Sequence, residues 1–407
     1  MCREGVPGTP STVCPKDQTQ WPFLDWIRFI AALMVLFGHT RGLFFQSISL
    51  VENPGFFTRL FYLATGSHRE GVALFFAISG FLVGGAVWRR MAEKRFDAKS
   101  YFISRFVRIY LVLLPSFILI AALAWVGSNY LADTRFYGER PLFPIMVHND
   151  WTVGQMVCNL ASMQSILCEH WGQNPPLWSL GFEWMFYLVA PIILGICFAD
   201  AKRWVRGIGL IMVLVTLSLT VLMGHGSPLM PEADLDPGTV HWAPELYWAP
   251  WHHWLMIWFA GAFAARVIEW KNIPAWIGWG GIGISISFVI LARLSIMPEP
   301  MSDAAIAFGL VLAISSRKVA SCAILSALGK WGASFSFSLY IIHVPVSIFV
   351  GALLERSGLP SILLPPGPAA YTAFGVTCLT ALLSARLFAA LTEDHTGRVR
   401  KLFMAQK

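Results

Sequence analysis

The stretch Leu24–Phe45, LDWIRFIAALMVLFGHTRGLFF, decides the fold. It is apolar and long enough to cross a bilayer, for which a helix needs about 20 mostly apolar residues. Yet it carries Arg28 and His39. Ionisable groups inside a spanning helix are costly and face a protein interior or a polar cavity. The two residues are 11 apart. That step is about three turns at roughly 100° per residue, so both side chains share one face, about 16 Å apart along the axis. One helix therefore offers a fixed cation at one depth and a titratable imidazole at another. Singly, each has a bland reading, a snorkelling arginine and a hydrogen-bonded core histidine. Their pairing on one face is what points to a site.

Composition extends this reading to the whole chain. Its 407 residues are 56% hydrophobic and 13% charged, with a mean hydropathy of +0.60. Soluble domains carry about 25% charged residues. The expected fold is all-α, a polytopic helical membrane protein with about ten transmembrane helices. A transmembrane barrel is excluded, because its strands alternate over about 10 residues. The spans are expected at roughly 23–45, 70–88, 105–127, 177–198, 205–223, 250–268, 275–295, 302–316, 335–355 and 369–391. Residues 1–22 read as a cytoplasmic N-terminal tail, 23–391 as one transmembrane domain and 392–407 as a cytoplasmic C-terminal tail. The first twenty or so residues lack the apolar core of a signal peptide, so the first span is expected to act as an uncleaved signal.

Charge placement sets the orientation. With the N-terminus inside, inner segments hold 21 of the 30 lysines and arginines, outer segments hold seven, and Arg28 and Arg386 lie within spans. Cytoplasmic loops carry the basic excess, so both termini are expected in the cytoplasm and the chain in the inner (plasma) membrane, surrounded by membrane lipid. The net charge of +7 is thereby a topology signal, and nucleic acid drops out as a partner. Seven cysteines form no CxxC pair, so neither a zinc site nor a redox motif is indicated.

Two outer loops are long. In the first, about 127–176, Val153, Met156, Val157, Leu160, Met163 and Leu167 recur at helical spacing, with Asp150 as candidate N-cap. Cys158 and Cys168 lie on this oxidising side, where a disulfide is permitted. The second, about 224–249, is acidic and reads as a polar mouth or a solvated loop.

The spans supply the candidate chemistry. In EGVALFFAISGFLVGG, the pairs Ser79-Gly80 and Gly84-Gly85 allow another helix, or a thin acyl chain, to approach closely. In SRFVRIY, Arg105 and Arg108 share a face at the cytoplasmic edge. Their guanidinium forks suit phosphate oxygens, and basic anchoring is the alternative. In PPLWSLGFEWMFYLVAP, Ser179, Glu183 and Tyr187 are spaced by four and form a polar stripe near the outer end, which lipid cannot satisfy. Trp178 and Trp184 are also consistent with an interfacial belt. In PWHHW, His252 and His253 are adjacent and point about 100° apart, a poor arrangement for one metal. No HxxxH or HExxH accompanies them, so no metal is expected. In FSFSLYIIHVPV, His343 lies mid-membrane with Tyr340 three residues before it. With no GxSxG elbow and no P-loop, a neutral histidine base with arginines and a carboxylate orienting reactants is what remains.

The ordered segments LDWIRFIAALMVLFGH, LFFAISGFL, RFVRIY, LWSLGFEWMFYLVAP and FSFSLYIIHVP resemble the membrane acyltransferase-3 family over about 23–391. The resemblance implies an integral membrane O-acyltransferase that modifies cell-surface or secreted carbohydrates. It implies that His39 is the essential histidine and Arg28 its paired arginine. Glu183 joins them in the chemistry. Arg105 and Arg108 match the RxxR segment thought to serve acyl-CoA, most simply acetyl-CoA. Ser179, Tyr187, Trp178 and His343 are assigned to substrate. The family usually has glycine after the first-span arginine. Phe29 stands there, and is expected to narrow the space beside Arg28. Many relatives carry an extra esterase-like outer domain, and none is expected after Leu391. The rival expectation is a transporter or flippase without group transfer, against which the lack of obvious inverted repeats weighs mildly.

Overall fold

The computed structural model describes residues 22–138, 151–172, 174–199, 251–270, 273–293, 299–316, 326–359 and 363–405, with isolated residues between 202 and 215 and residue 296. Helix α1 is Pro22–Phe44. Helices α2, Phe56–Thr65, and α3, His68–Ser79, lead through a π-turn, Gly80–Gly84, into α4, Gly85–Ala92. Then come α5, Ala98–Tyr130, α6, Val153–Leu160, and α7, Trp178–Phe198. Next are α8, Trp251–Trp270, α9, Ala275–Arg293, and α10, Glu299–Ser315. The chain continues through α11, Ser326–Ala333, α12, Ser336–Arg356, α13, Pro368–Leu391, and α14, Thr396–Ala405.

Seven stretches among the described residues are long and apolar enough to cross a membrane, and two shorter apolar helices, His253–Ile268 and Met301–Ser315, stand beside them. Together they fall on every expected span except 205–223, which lies mostly outside the described residues. The architecture is thus all-α and polytopic. The outward faces remain apolar. Ile118 is 73% exposed and Leu387 70% exposed, a pattern suited to a hydrocarbon solvent, since soluble chains keep large exposed apolar patches to a minimum.

Helix α12 runs through the middle. Most of its side chains are buried, from Ser336 to Ala352, so it is apolar nearly all round, as an enclosed helix must be. Helix α1 packs against α3, α11, α12 and α13. Helix α8 lies against α3 and the π-turn. A Cβ at Gly80 would meet the Trp258 carbonyl, and one at Gly261 would meet the Ala77 carbonyl. Only paired glycines allow these backbones to come so close. The glycine pairs of the second span therefore serve helix packing. At the same point the Trp258 indole donates to Ser79 Oγ at 3.1 Å.

Helix α5 is 33 residues long, about 50 Å at 1.5 Å per residue, and so outruns the roughly 30 Å hydrocarbon core. Asp97 starts it, accepting from the Lys99 N–H at 3.1 Å and the Ser100 hydroxyl at 2.5 Å. The Ser100 bond first, and the Lys99 contact with it, hold the Asp97 carboxyl below the usual carboxylate range. Arg105 and Arg108 lie about two to three turns in from the start of α5, and the Arg108 side chain stays 30% exposed.

The outer helix expected from Val153 is real but short. Thr152 caps it, accepting from the Gln155 N–H at 3.3 Å, and Asp150 lies outside the described residues. It stops at Leu160 because Ser162 and Ser165 adopt positive φ angles of 56° and 64°. These bends return the chain so that Cys168 forms a disulfide with Cys158, and Met163 and Leu167 lie off the helix. The acidic loop at 224–249 falls outside the described residues.

The stretch read as a C-terminal tail is ordered as far as Ala405. A 3-10 turn, Glu393–His395, follows α13, and α14 packs on α5. The Glu393 side chain is only 4% exposed, so this segment belongs to the bundle.

Candidate active site

Ser336, Tyr340 and His343 stand at i, i+4 and i+7 on α12 and therefore share one face. Helix α1 lays both of its ionisable residues on that face. Arg28 Nη2 donates to Ser336 Oγ at 3.2 Å, and His39 Nδ1 lies 2.8 Å from His343 Nε2. The two contacts advance in the same direction along both helices, so α1 and α12 run parallel. The shared face expected for Arg28 and His39 is present, and α12 is what it faces.

Between these contacts and α7 lies a cavity of about 330 Å³. Its polar lining is Arg28, Ser79, Arg105, Arg108, Ser179, Glu183, Tyr187, Ser336 and Tyr340, against apolar walls from Val72, Phe75, Leu180 and Ile341. Glu183 accepts a short hydrogen bond from the Tyr187 hydroxyl and a longer one, 3.4 Å, from Ser79 Oγ. The Arg105 guanidinium stands over the Tyr187 ring, 5.7 Å from its centroid. Arg105 Nε is buried and has no hydrogen-bond partner among the described residues. A buried N–H donor without a partner is costly, so this wall is prepared for an acceptor. Arg108 Nη2 pairs with Glu393 Oε1 at 2.9 Å. The other Glu393 oxygen accepts from the Ser338 N–H at 3.0 Å and the Ser338 hydroxyl at 2.9 Å.

The Ser179–Glu183–Tyr187 stripe thus faces a cavity. Glu183 shares this cavity with Arg105 and Arg108, with Arg105 over the ring of Tyr187, one turn on from Glu183. Trp178, assigned to substrate from sequence, does not line the cavity. On α7 it packs with Phe76, Phe182 and Trp254. Phe29 does not narrow the space beside Arg28 either. It faces α11 and α12, with its ring over Gly332 and against Trp331 and Phe335, so a glycine on the partner helix takes up its bulk.

His39 and His343 do not line the cavity. They lie one turn further along α12, behind Tyr340, whose ring is 6.0 Å from that of His343 and 5.6 Å from that of Phe75. Tyr340 is held by Ser179 Oγ at 2.6 Å and donates to the Pro176 carbonyl at 3.1 Å. The His68 ring approaches His39 to 5.2 Å.

Sequence reasoning missed several polar residues. Ser79 is expected from sequence only as a small residue that admits a helix or a thin acyl chain, whereas its hydroxyl bonds Glu183 and Tyr187. Glu393 was placed in a tail. Arg69 and Asp303 form a buried ion pair at 2.7 Å that His253 Nε2 joins at 3.3 Å. Asp303 had a signal, since an acid inside an expected span needs a partner. The side chain of His252 lies outside the described residues. No group of three or more histidine, cysteine or acidic residues suited to a metal occurs among the described residues.

A cationic cavity with an orphaned donor suits an anionic ligand, and an adjoining imidazole pair suits proton transfer. Comparison with known proteins gives this arrangement a class. The chain belongs to the acyltransferase-3 family, whose profile, an acyltransferase domain, matches residues 21–386. It is therefore a membrane acyltransferase. It is 25% identical over 302 residues to Nodulation protein 10 of Rhizobium leguminosarum bv. viciae, covering 71% of this chain and 74% of that one. It is 29% identical over 133 residues to an uncharacterized protein of Haemophilus influenzae, covering 30% of this chain and 47% of that one. No solved structure matches. Family membership overturns the rival expectation of a transporter without group transfer.

Proposed function

We propose that this acyltransferase moves an acyl group, most simply acetyl, from cytosolic acyl-CoA to a hydroxyl of an extracytoplasmic or lipid-linked carbohydrate. The observation that carries the reading is the convergence of Arg28, Arg105 and Arg108 on one cavity, with the His39–His343 pair one helical turn beyond it.

Arg105 and Arg108 hold the phosphates of the donor from the cytoplasmic side. Guanidinium forks match phosphate oxygens, and Arg105 has a donor to spare. Arg28, anchored on Ser336, carries positive charge toward the thioester. Glu183 and Tyr187 orient the reactants through their shared hydrogen bond, and Ser179 holds Tyr340 in the cavity wall. His39 takes the proton of the acceptor hydroxyl as its oxygen attacks the thioester carbonyl. The C–S bond breaks, and the departing sulfur takes the proton back from His39. The products are an ester and free CoA, and the base is restored.

The orientation rests on the basic excess of the inner segments. It is supported by the Cys158–Cys168 disulfide, which belongs on an oxidising face. Purified protein given labelled acetyl-CoA and a carbohydrate fraction should release CoA and label the carbohydrate only when both are present. Donor binding without labelling of any carbohydrate would overturn the acceptor class. A reporter fused after Ala405 that scores as external would overturn the cytosolic donor.

A further inference from the structure

The His39–His343 contact carries more than proximity. His343 Nδ1 lies 2.8 Å from the Tyr340 carbonyl and 3.1 Å from the Leu339 carbonyl. Carbonyl oxygens only accept, so Nδ1 of His343 bears the proton. A neutral ring has one such proton, which leaves Nε2 of His343 as a lone pair. That lone pair faces Nδ1 of His39 at 2.8 Å. A hydrogen bond at this distance needs one proton between the two nitrogens, and His343 Nε2 has none to give. His39 Nδ1 must supply it.

We infer that His343 is a positioning residue that holds His39 in the Nδ1–H tautomer and so makes Nε2 of His39 the nitrogen that accepts a proton. The chain of orientation begins in the main chain of α12. Residues 339 and 340 are the carbonyl sources one turn before His343, so helix geometry fixes the first proton, and each ring passes the choice on. Which ring nitrogen of a histidine is basic is set by the bond the other one makes. In serine hydrolases a carboxylate sets it. Here a second imidazole does so without adding a negative charge to the span. The ring planes lie within 15° of each other, so a rotation of one ring about its bond to the helix would break the contact. When His39 has taken the acceptor's proton, its Nδ1–H remains bonded to His343, and the cation is stabilised where it forms.

The inference rests on the proposed reaction only for its consequence in rate. The tautomer can be read without turnover. Protein with ¹⁵N-labelled histidine in lipid bilayers should show, at the signals that vanish in His39→Gln, a protonated Nδ1 and an unprotonated Nε2. In His343→Leu those signals should shift to the other tautomer or split between both. A protonated Nε2 on His39 in the unmodified protein would overturn the inference outright. In turnover, His343→Leu should lose about 10²-fold in kcat, the lower end of what a positioned base supplies. The donor KM should change less than about twofold, as expected when only the chemical step is affected. His343→Gln, whose side-chain oxygen can accept from Nδ1–H, should recover to within about tenfold of the unmodified enzyme. Equal loss in the Leu and Gln variants with an unchanged His39 tautomer would reduce His343 to a packing residue. If His343→Leu fails to insert, the spectrum of the unmodified protein and the Gln variant still decide. An unmodified protein with the expected tautomer and no carbohydrate-dependent CoA release would fail the proposed function and leave the tautomer standing.

Discussion

The two ends of the α1–α12 contact are built from opposite materials. At Arg28 and Ser336 the helices border a cavity with three guanidinium groups and a carboxylate, with a second carboxylate, Glu393, behind Arg108. At His39 and His343 they close on each other, two imidazoles 2.8 Å apart behind an aromatic wall. Fixed charge hardly responds to a proton and suits holding an anion. Neutral imidazole suits accepting and returning a proton near neutral pH. On the proposed reading, one pair of helices sets the proton-transferring imidazoles one turn of α12 beyond the cavity that holds the anion.

That division is broken most directly at His39. His39→Ala should leave the protein inserted and reduce kcat by about 10²–10⁴-fold, the usual contribution of a positioned base. Carbohydrate-dependent CoA release measures it, and substantial transfer by a well-folded variant would end the assignment. The arginine end should respond differently. Arg105→Ala and Arg108→Ala should raise the donor KM about tenfold to hundredfold, the cost of a lost charged hydrogen bond, with little change at saturating donor. A fall in kcat alone would place these arginines in the chemistry and erase the contrast. Glu393→Gln sharpens it from behind. Removing the carboxylate's charge leaves more of Arg108's charge for phosphate, so the donor KM should fall a few-fold in the same assay. A rise would mean that Glu393 is needed to aim Arg108. The smallest effect is expected at Phe29. Phe29→Ala should lower the unfolding temperature, because the ring is packed on α11 and α12. It should leave the donor KM within about twofold, since a packing change away from the ligand does not alter binding.

Much of this was legible because membranes limit the alternatives. A ~20-residue apolar run must be a helix in lipid, so span positions could be read from Leu24–Phe45 onward. The shared face of Arg28 and His39, and that of Ser179, Glu183 and Tyr187, follow from helical geometry alone. Sequence could not say which helix each face meets. That is why Trp178 was assigned to substrate beside a cavity it does not line, and why Phe29 was expected to crowd Arg28. Both residues have their packing partners on other helices, Trp254 in one case and Gly332 in the other. Glu393 was missed because a carboxylate just past a span looks solvated until the chain is seen to fold back on α5. The His39–His343 contact joins residues 304 apart, and no local pattern encodes it.

That long reach also governs how the protein is made. Arg108 precedes Glu393, its ion-pair partner, by 285 residues. At a synthesis rate of roughly 5–20 residues per second, about 15–60 s pass between the two. Throughout that interval the guanidinium has entered the bilayer without its carboxylate, and a long arginine side chain in that position reaches for the headgroup layer. Lipid phosphate is the natural stand-in, the same chemistry that Arg108 is proposed to meet later on the donor. Ribosomes stalled soon after α5 should therefore expose Arg108 to a water-soluble arginine reagent, and release of the chain through Ala405 should protect it. Equal labelling in both states would mean that the ion pair does not form in the membrane.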